Sequence, residues 1–122
     1  MEVTAKKNEQ VANMVFGSIY PHYRNRIVKN GRTEDELKEV IEWLTGYNAE
    51  KLQELIDTRV TFRTFFEEAT IHPNINMIKG VVCGYRIEDI ADEFIIYRQC
   101  RSMEKLIDEL AKGRKMEKIL RA

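Results

Sequence analysis

Two prolines and six glycines in 122 residues are too little punctuation for a sandwich of many short strands. Cysteine is equally sparse. Cys83 and Cys100 stand far apart with no paired-cysteine motif, so both are read as free thiols packed as small apolar groups, and no disulfide is expected. Long apolar runs are missing: the longest, residues 94–97, falls far short of a membrane span. The first ten residues are polar and lack the apolar core of a secretory signal. The chain is therefore expected in the cytoplasm, without a membrane. Nor is there an excess of one charge. Twenty Lys+Arg balance twenty Asp+Glu, and 43% of residues are hydrophobic. That excludes a uniformly basic nucleic-acid binder and a disordered chain.

The length suits one domain with its own core. No repeat, Ser/Pro-rich linker or composition break divides residues 1–122, and the polar start at 1–8 is free to fray. Charge is uneven along the chain: residues 1–30 carry a net +3, 31–60 a net −4, 61–90 a net −1 and 91–122 a net +2. Solvated helix faces account for this pattern; the sharper reading is an acidic face that docks a basic partner.

Periodicity predicts helices nearly throughout. Val11, Val15, Ile19, Tyr23 and Ile27 recur every four residues, which predicts a first helix over 8–30 with a kink near Tyr20 caused by Pro21. Thr33 and Glu36 form a capping box before Leu37, Val40, Ile41 and Leu44, and Gly46 is the natural stop. Asn48 can cap a third helix carrying Leu52, Leu55 and Ile56. Thr61 can cap a fourth carrying Phe62, Phe65, Phe66 and Ala69, aromatic residues read as core. His72-Pro73-Asn74 is a turn. Residues 75–83 are ambiguous and are read as a helix ended by Gly84, because a single short strand would lack a partner. A long helix is predicted over 92–112, where Ile96, Cys100, Met103, Ile107 and Leu110 step by four, three, four and three. Met116, Ile119 and Leu120 fit a last short helix. The expected fold is all-α: a compact orthogonal bundle of six or seven helices around the long C-terminal helix.

No catalytic constellation is legible. His22 and His72 are the two histidines. The Val81-Val82-Cys83 context reads as a buried, inert thiol. Zinc would need a close cysteine or histidine pair, which is missing. Glu67, Glu68 and His72 read as a solvated face beside a turn. Lys79-Gly80-Val81-Val82-Cys83-Gly84 has lysine and glycine in the wrong order for a phosphate loop. No metal or cofactor is expected.

Two regions draw attention. Tyr20-Pro21-His22-Tyr23 and Trp43-Leu44-Thr45-Gly46-Tyr47 are polar-aromatic corners, either buried polar locks or pocket walls. Around a pocket, Tyr20, His22, Tyr23, Trp43, Tyr47, His72, Lys79 and Arg86 are the candidate lining. Lys112, Arg114, Lys115, Lys118 and Arg121 form a basic stretch opposed only by Glu117. It either complements helix dipoles or touches phosphates or an acidic partner.

In order along the chain stand Tyr20-Pro21-His22-Tyr23, Gly31-Arg32-Thr33, Trp43-Leu44-Thr45-Gly46-Tyr47, then residues 78–84, 105–113 and 116–120. Together they resemble a family of small bacterial proteins of unknown function, domain-of-unknown-function family 2200. The likeness runs from about Val11 to Arg121. It is weaker over 92–103, where Glu93-Phe94 stands in place of a proline the family pattern leads one to expect. The resemblance implies a stand-alone bacterial cytoplasmic domain and carries over no catalytic residue.

The leading expectation is a non-catalytic binding or protein-interaction module, as a homodimer or with an unidentified protein partner. A small-molecule or enzymatic pocket between the two corners is the alternative. Nucleic-acid contact through residues 112–121 ranks last.

Overall fold

The computed structural model describes residues 2–121. Local rules set most of its helices. Thr33 opens α3 (Glu34–Thr45) through a capping box: its hydroxyl accepts from the Glu36 N–H at 3.1 Å, and the Glu36 carboxylate accepts from the Thr33 N–H at 3.0 Å. Arg32 holds the same carboxylate at 2.8 Å. The Arg32 guanidinium, with help from the Thr33 N–H, keeps the Glu36 carboxyl down at about 2. Asn48 and Thr61 cap α4 (Ala49–Asp57) and α5 (Phe62–Glu67) through their side chains. Gly46 ends α3 in the left-handed region.

Thr4 accepts from the Lys7 N–H and α1 (Ala5–Ala12) begins at once. Asn8 is buried, and its Oδ1 accepts from the Tyr97 N–H at 3.0 Å. Met1 lies outside the described residues.

Where periodicity predicts one helix over 8–30, two form. The break falls at residues 13–15 and not at Pro21. There the backbone exchanges hydrogen bonds with the segment before α5: the Phe16 N–H donates to the Val60 carbonyl and the Phe62 N–H to the Met14 carbonyl, both at 2.9 Å. α2 (Phe16–Lys29) then runs through Pro21 without interruption. The proline sits in the second turn, and the one bond it removes reaches back to Gly17. The restart shifts the apolar stripe. Phe16, Tyr20, Tyr23 and Ile27 are buried, while Val11, Val15 and Ile19 are half-buried. Gly17 lies against α4, where a Cβ would stand 2.2 Å from the Ile56 carbonyl oxygen.

Residues 75–83 are not a helix. A 3-10 turn (Pro73–Met77) leads into β1 (Val81–Val82), which pairs antiparallel with β2 (Tyr85–Arg86), Val82 opposite Tyr85. The partner strand that the sequence reading lacked lies just across the Cys83-Gly84 turn. The long helix, α6 (Ile95–Ala111), starts three residues later than predicted because Asp92–Phe94 forms a 3-10 turn. Its seam residues Ile96, Cys100, Met103, Leu106, Ile107 and Leu110 are all buried. α1, α2, α3, α5, the hairpin and the final helix α7 (Met116–Ile119) all pack on it. Phe16, stacked on Phe65 at 4.0 Å and edge-on to Phe62 at 5.8 Å, fills the centre of the core. No helix among the described residues is long and apolar enough to cross a membrane.

A polar latch closes the C-terminal end. Glu109, only 8% exposed, accepts two hydrogen bonds from Arg121 at 2.8 Å each and pairs with Arg114 at 3.1 Å. Arg32 donates to the Leu110 and Arg114 carbonyls, and Asn74 donates to the Arg121 carbonyl. Near the end of α6 the Leu110 carbonyl thus accepts from a side chain of the α2–α3 turn, while the Asp108 and Glu109 carbonyls accept from the Lys112 and Arg114 N–H groups.

Gly17→Ala forces α2 and α4 apart and costs about 3 kcal/mol, lowering Tm by about 10 °C. Ser18→Ala on the exposed side of the same turn stays within about 0.5 kcal/mol. Calorimetry of both variants checks this, and an undisturbed Gly17→Ala protein contradicts the packing described. Glu36 gives a second test. Its folded value lies below its ordinary 4.5, so its contribution is full above 4.5 and is lost as pH falls towards about 2. Urea midpoints measured across that window drop less steeply in Glu36→Gln than in the parent; equal slopes refute the assignment.

Candidate functional site

The hairpin creates the site. Val81 and Val82 favour extended backbone, and the two-residue turn takes positive φ at both positions, 52° at Cys83 and 82° at Gly84. That is the turn whose twist matches paired strands, and its first position favours Asn, Asp or Gly. A cysteine there bears a local cost of about 1 kcal/mol. Below the turn, the Ile87 N–H donates to the Gly80 carbonyl and the Gly80 N–H to the Glu88 carboxylate, both at 2.9 Å. Alternation then sorts the side chains. Val82 and Tyr85 turn inward, while Val81, Cys83 and Arg86 face out. Cys83 is thus exposed, against the expectation of a buried thiol; the buried cysteine is Cys100. The hairpin tip projects beyond the core, whereas Cys100 sits on the α6 seam.

Between the hairpin, α2 and α6 lies a cleft of about 280 Å³. Val82, Ile107 and the Tyr23 ring supply apolar wall, and Cys83, Arg26, Glu104, Asp108 and Lys112 supply polar groups. Asp108 is shared by two cations: Arg26 reaches Oδ1 at 2.5 Å and Lys112 reaches Oδ2 at 3.0 Å. Partial burial works against the charge, but hydrogen bonds from Arg26 and Lys112 prevail and hold the Asp108 carboxyl below its ordinary value. Glu104 pairs with Arg101, which also lies over the Tyr97 ring at 4.6 Å and donates to its hydroxyl at 3.1 Å. The Tyr23 hydroxyl is buried beside the Cys100 thiol, yet no group meets it with hydrogen-bond geometry. Burial pushes both the Tyr23 phenol and the Cys100 thiol well above their ordinary values, so both stay neutral at physiological pH.

A larger cleft, about 570 Å³, opens on the other side of the hairpin. Glu2, Asp89, Glu93 and Arg86 face it together with Val3, Ile90 and Phe94, and Val81 lines both clefts. The smaller one concentrates more chemistry: a free thiol, two cations on one carboxylate, and an orphaned phenol. Among the described residues no three His, Cys, Asp or Glu side chains group to hold a metal ion.

The eight pocket candidates from sequence do not converge. Tyr20 donates to Glu34 at 2.7 Å. Tyr47 donates to the Phe65 carbonyl at 2.6 Å, and burial pushes its phenol up to about 12. Between these two tyrosines the space is filled by Phe16 and Phe65. Trp43 stacks on His72 at 4.2 Å, and His72 Nδ1 accepts from the Asn74 N–H. His22 and Lys79 are exposed. Only Tyr23 reaches the smaller cleft, and Arg86 the larger. The basic stretch is divided as well: Arg114 and Arg121 meet Glu109, Lys112 meets Asp108, and Lys115 and Lys118 are exposed. Sequence reasoning missed Cys83, Arg26, Glu104 and Asp108. The legible signals were two residues between Val-Val and Tyr-Arg, and the i,i+4 spacing of Asp108 and Lys112.

The family model described as an uncharacterized protein conserved in bacteria, domain-of-unknown-function family 2200, matches residues 10–121. The chain belongs to this family. Among solved structures it is similar to the crystal structure of the uncharacterized protein SP1917, with 32% identity and a TM-score of 0.83 over 92% of this chain and 91% of that one. No curated protein matches it. The stretch matched to family 2200 contains every residue that lines the smaller cleft.

Tyr23→Phe removes a hydroxyl that has no partner and leaves stability unchanged or raises it by up to about 1 kcal/mol, whereas Tyr47→Phe breaks a made bond and costs about 1 kcal/mol. Thermal unfolding of the two variants separates these cases. A large loss in Tyr23→Phe would mean the hydroxyl is satisfied.

Proposed function

We propose that this member of family 2200 is a non-catalytic binding module, and that the cleft between the hairpin, α2 and α6 takes a small molecule with an anionic group and an apolar body. The observation that carries this reading is the sharing of Asp108 by Arg26 and Lys112. One carboxylate between two cations leaves that trio a net charge of +1, Glu104 on the same wall is offset by Arg101, and both cations keep free N–H donors. Behind them, Val82, Ile107 and the Tyr23 ring offer apolar wall. The volume, about 280 Å³, lies at the small end of ligand sites. Binding is favoured over acid–base chemistry because the carboxylates present are engaged by cations, Asp108 by Arg26 and Lys112 and Glu104 by Arg101. A general base would need a value near neutrality, and Asp108 is shifted the other way.

A protein-interaction role is the second reading. It draws on the larger cleft, where Glu2, Asp89 and Glu93 surround apolar Val3, Ile90 and Phe94. That composition suits a basic, partly apolar peptide.

Isovalerate, with isovaleramide as its neutral counterpart, tests the first reading by amide chemical-shift titration. Saturable shifts are expected at Tyr23, Arg26, Val82, Cys83 and Ile107 with the carboxylate. They should weaken with salt and be nearly lost with the amide and in an Arg26→Gln, Lys112→Gln variant. Equal responses to acid and amide, or shifts scattered over the surface, would sink it.

A further inference from the structure

We propose that Cys83 is a thiol-exchange site that takes up small anionic thiols as mixed disulfides, with Arg26 and Lys112 seating the anionic group of the incoming molecule. This rests on the reading of the smaller cleft given above and names the class of ligand that enters it. Cys83 is free and exposed at the lip, on the turn between β1 and β2, and it lines the same cleft as Arg26 and Lys112. Those two cations share the single carboxylate of Asp108, which leaves donors for an arriving carboxylate. The thiol does not stand alone. Tyr23, more than nine-tenths buried, lines this cleft, and its hydroxyl has no hydrogen-bond partner. Cys100, by contrast, is buried on the α6 seam, out of reach of solutes.

The step balances without a further reagent. Cys83 gives its proton to solvent, and the thiolate Sγ attacks one sulfur of a symmetric low-molecular-weight disulfide. A new S–S bond forms to Cys83 as the old one breaks. The released thiolate takes up a proton. One disulfide is consumed and one is made, so there is no net oxidation, and a reducing thiol reverses the step.

The test compares three disulfides of different charge: oxidised glutathione (anionic), 2-hydroxyethyl disulfide (neutral) and cystamine (cationic). Adduct formation on the full chain is followed by mass spectrometry, native and in urea. In urea the ratio of rates reports intrinsic reactivity alone. In the native protein the adduct is expected on Cys83 and not on Cys100. The anionic disulfide is expected to gain about fivefold over the neutral one relative to the ratio in urea, the factor that one partly exposed ion pair supplies, and the cationic one to lose. Arg26→Gln with Lys112→Gln should return the anionic-to-neutral ratio to its value in urea. A native ratio equal to that in urea, a gain that survives the double substitution, or an adduct on Cys100 at the native rate would each overturn the proposal. Isovalerate titration of Cys83→Ser separates the two readings. If the shifts persist there but the anionic preference is missing, exchange fails and the binding cleft stands; if both are missing, both fail.

Discussion

Burial of α6 is the constraint to which the rest of the chain answers. Ile96, Cys100, Met103, Leu106, Ile107 and Leu110 are all buried, and each such side chain contributes about 2 kcal/mol when removed from water. A single helix cannot cover that seam, so α1, α2, α3, α5 and α7 pack round it. Polar groups are drawn in where the geometry requires them. Asn8 meets the Tyr97 N–H near the first turn of α6. Glu109, near the last turn, is held by Arg121 and Arg114. A buried carboxylate of this kind is tolerated only when its oxygens are fully partnered, so the latch fixes where the C-terminal segment lies.

The same helix joins two surfaces of different character. On one side of the hairpin the cleft lip carries two cations, Arg26 and Lys112, on the single carboxylate of Asp108. On the other it is acidic, through Glu2, Asp89 and Glu93. Between them runs a chain of contacts: Lys7 to the Tyr85 hydroxyl at 2.6 Å, Tyr85 edge-on to Tyr97 at 5.4 Å, Tyr97 to Arg101, and Arg101 to Glu104. α1 and the hairpin are thus tied to α6 by aromatic and cationic groups, in a second, smaller core around Tyr85, Ile90 and Tyr97. The pairing of cation with phenol lets these charged side chains lie along ring faces.

What local chemistry controls was legible from residues alone. Thr33 with Glu36, Asn48, Thr61 and Gly46 each mark a helix boundary where the structure has one, because capping depends on neighbours within four positions. The α6 seam was legible for a similar reason: a repeat of three and four needs only one helix to express it. The site was mostly illegible. Tyr23 lines the smaller cleft, but Tyr20 and Tyr47, its companions among the pocket candidates, donate to Glu34 and Phe65, and the space between them holds Phe16 and Phe65.

The amino-acid order alone thus determined that the chain is mostly helical, that a long penultimate helix forms, and that the family is number 2200. Tertiary structure decided the rest. The break at residues 13–15 exists because Met14 and Phe16 bond to a segment some forty-five positions away, and no periodicity registers such a partner. The hairpin persists at two residues per strand because Val82 and Tyr85 are buried beneath it; in isolation so short a pair would not hold. Cys83 stands at a cleft lip, and Arg26, Asp108 and Lys112 share one ion cluster, for the same reason: these neighbours are made by the packing of α2, α6 and the hairpin, which only the folded chain brings together.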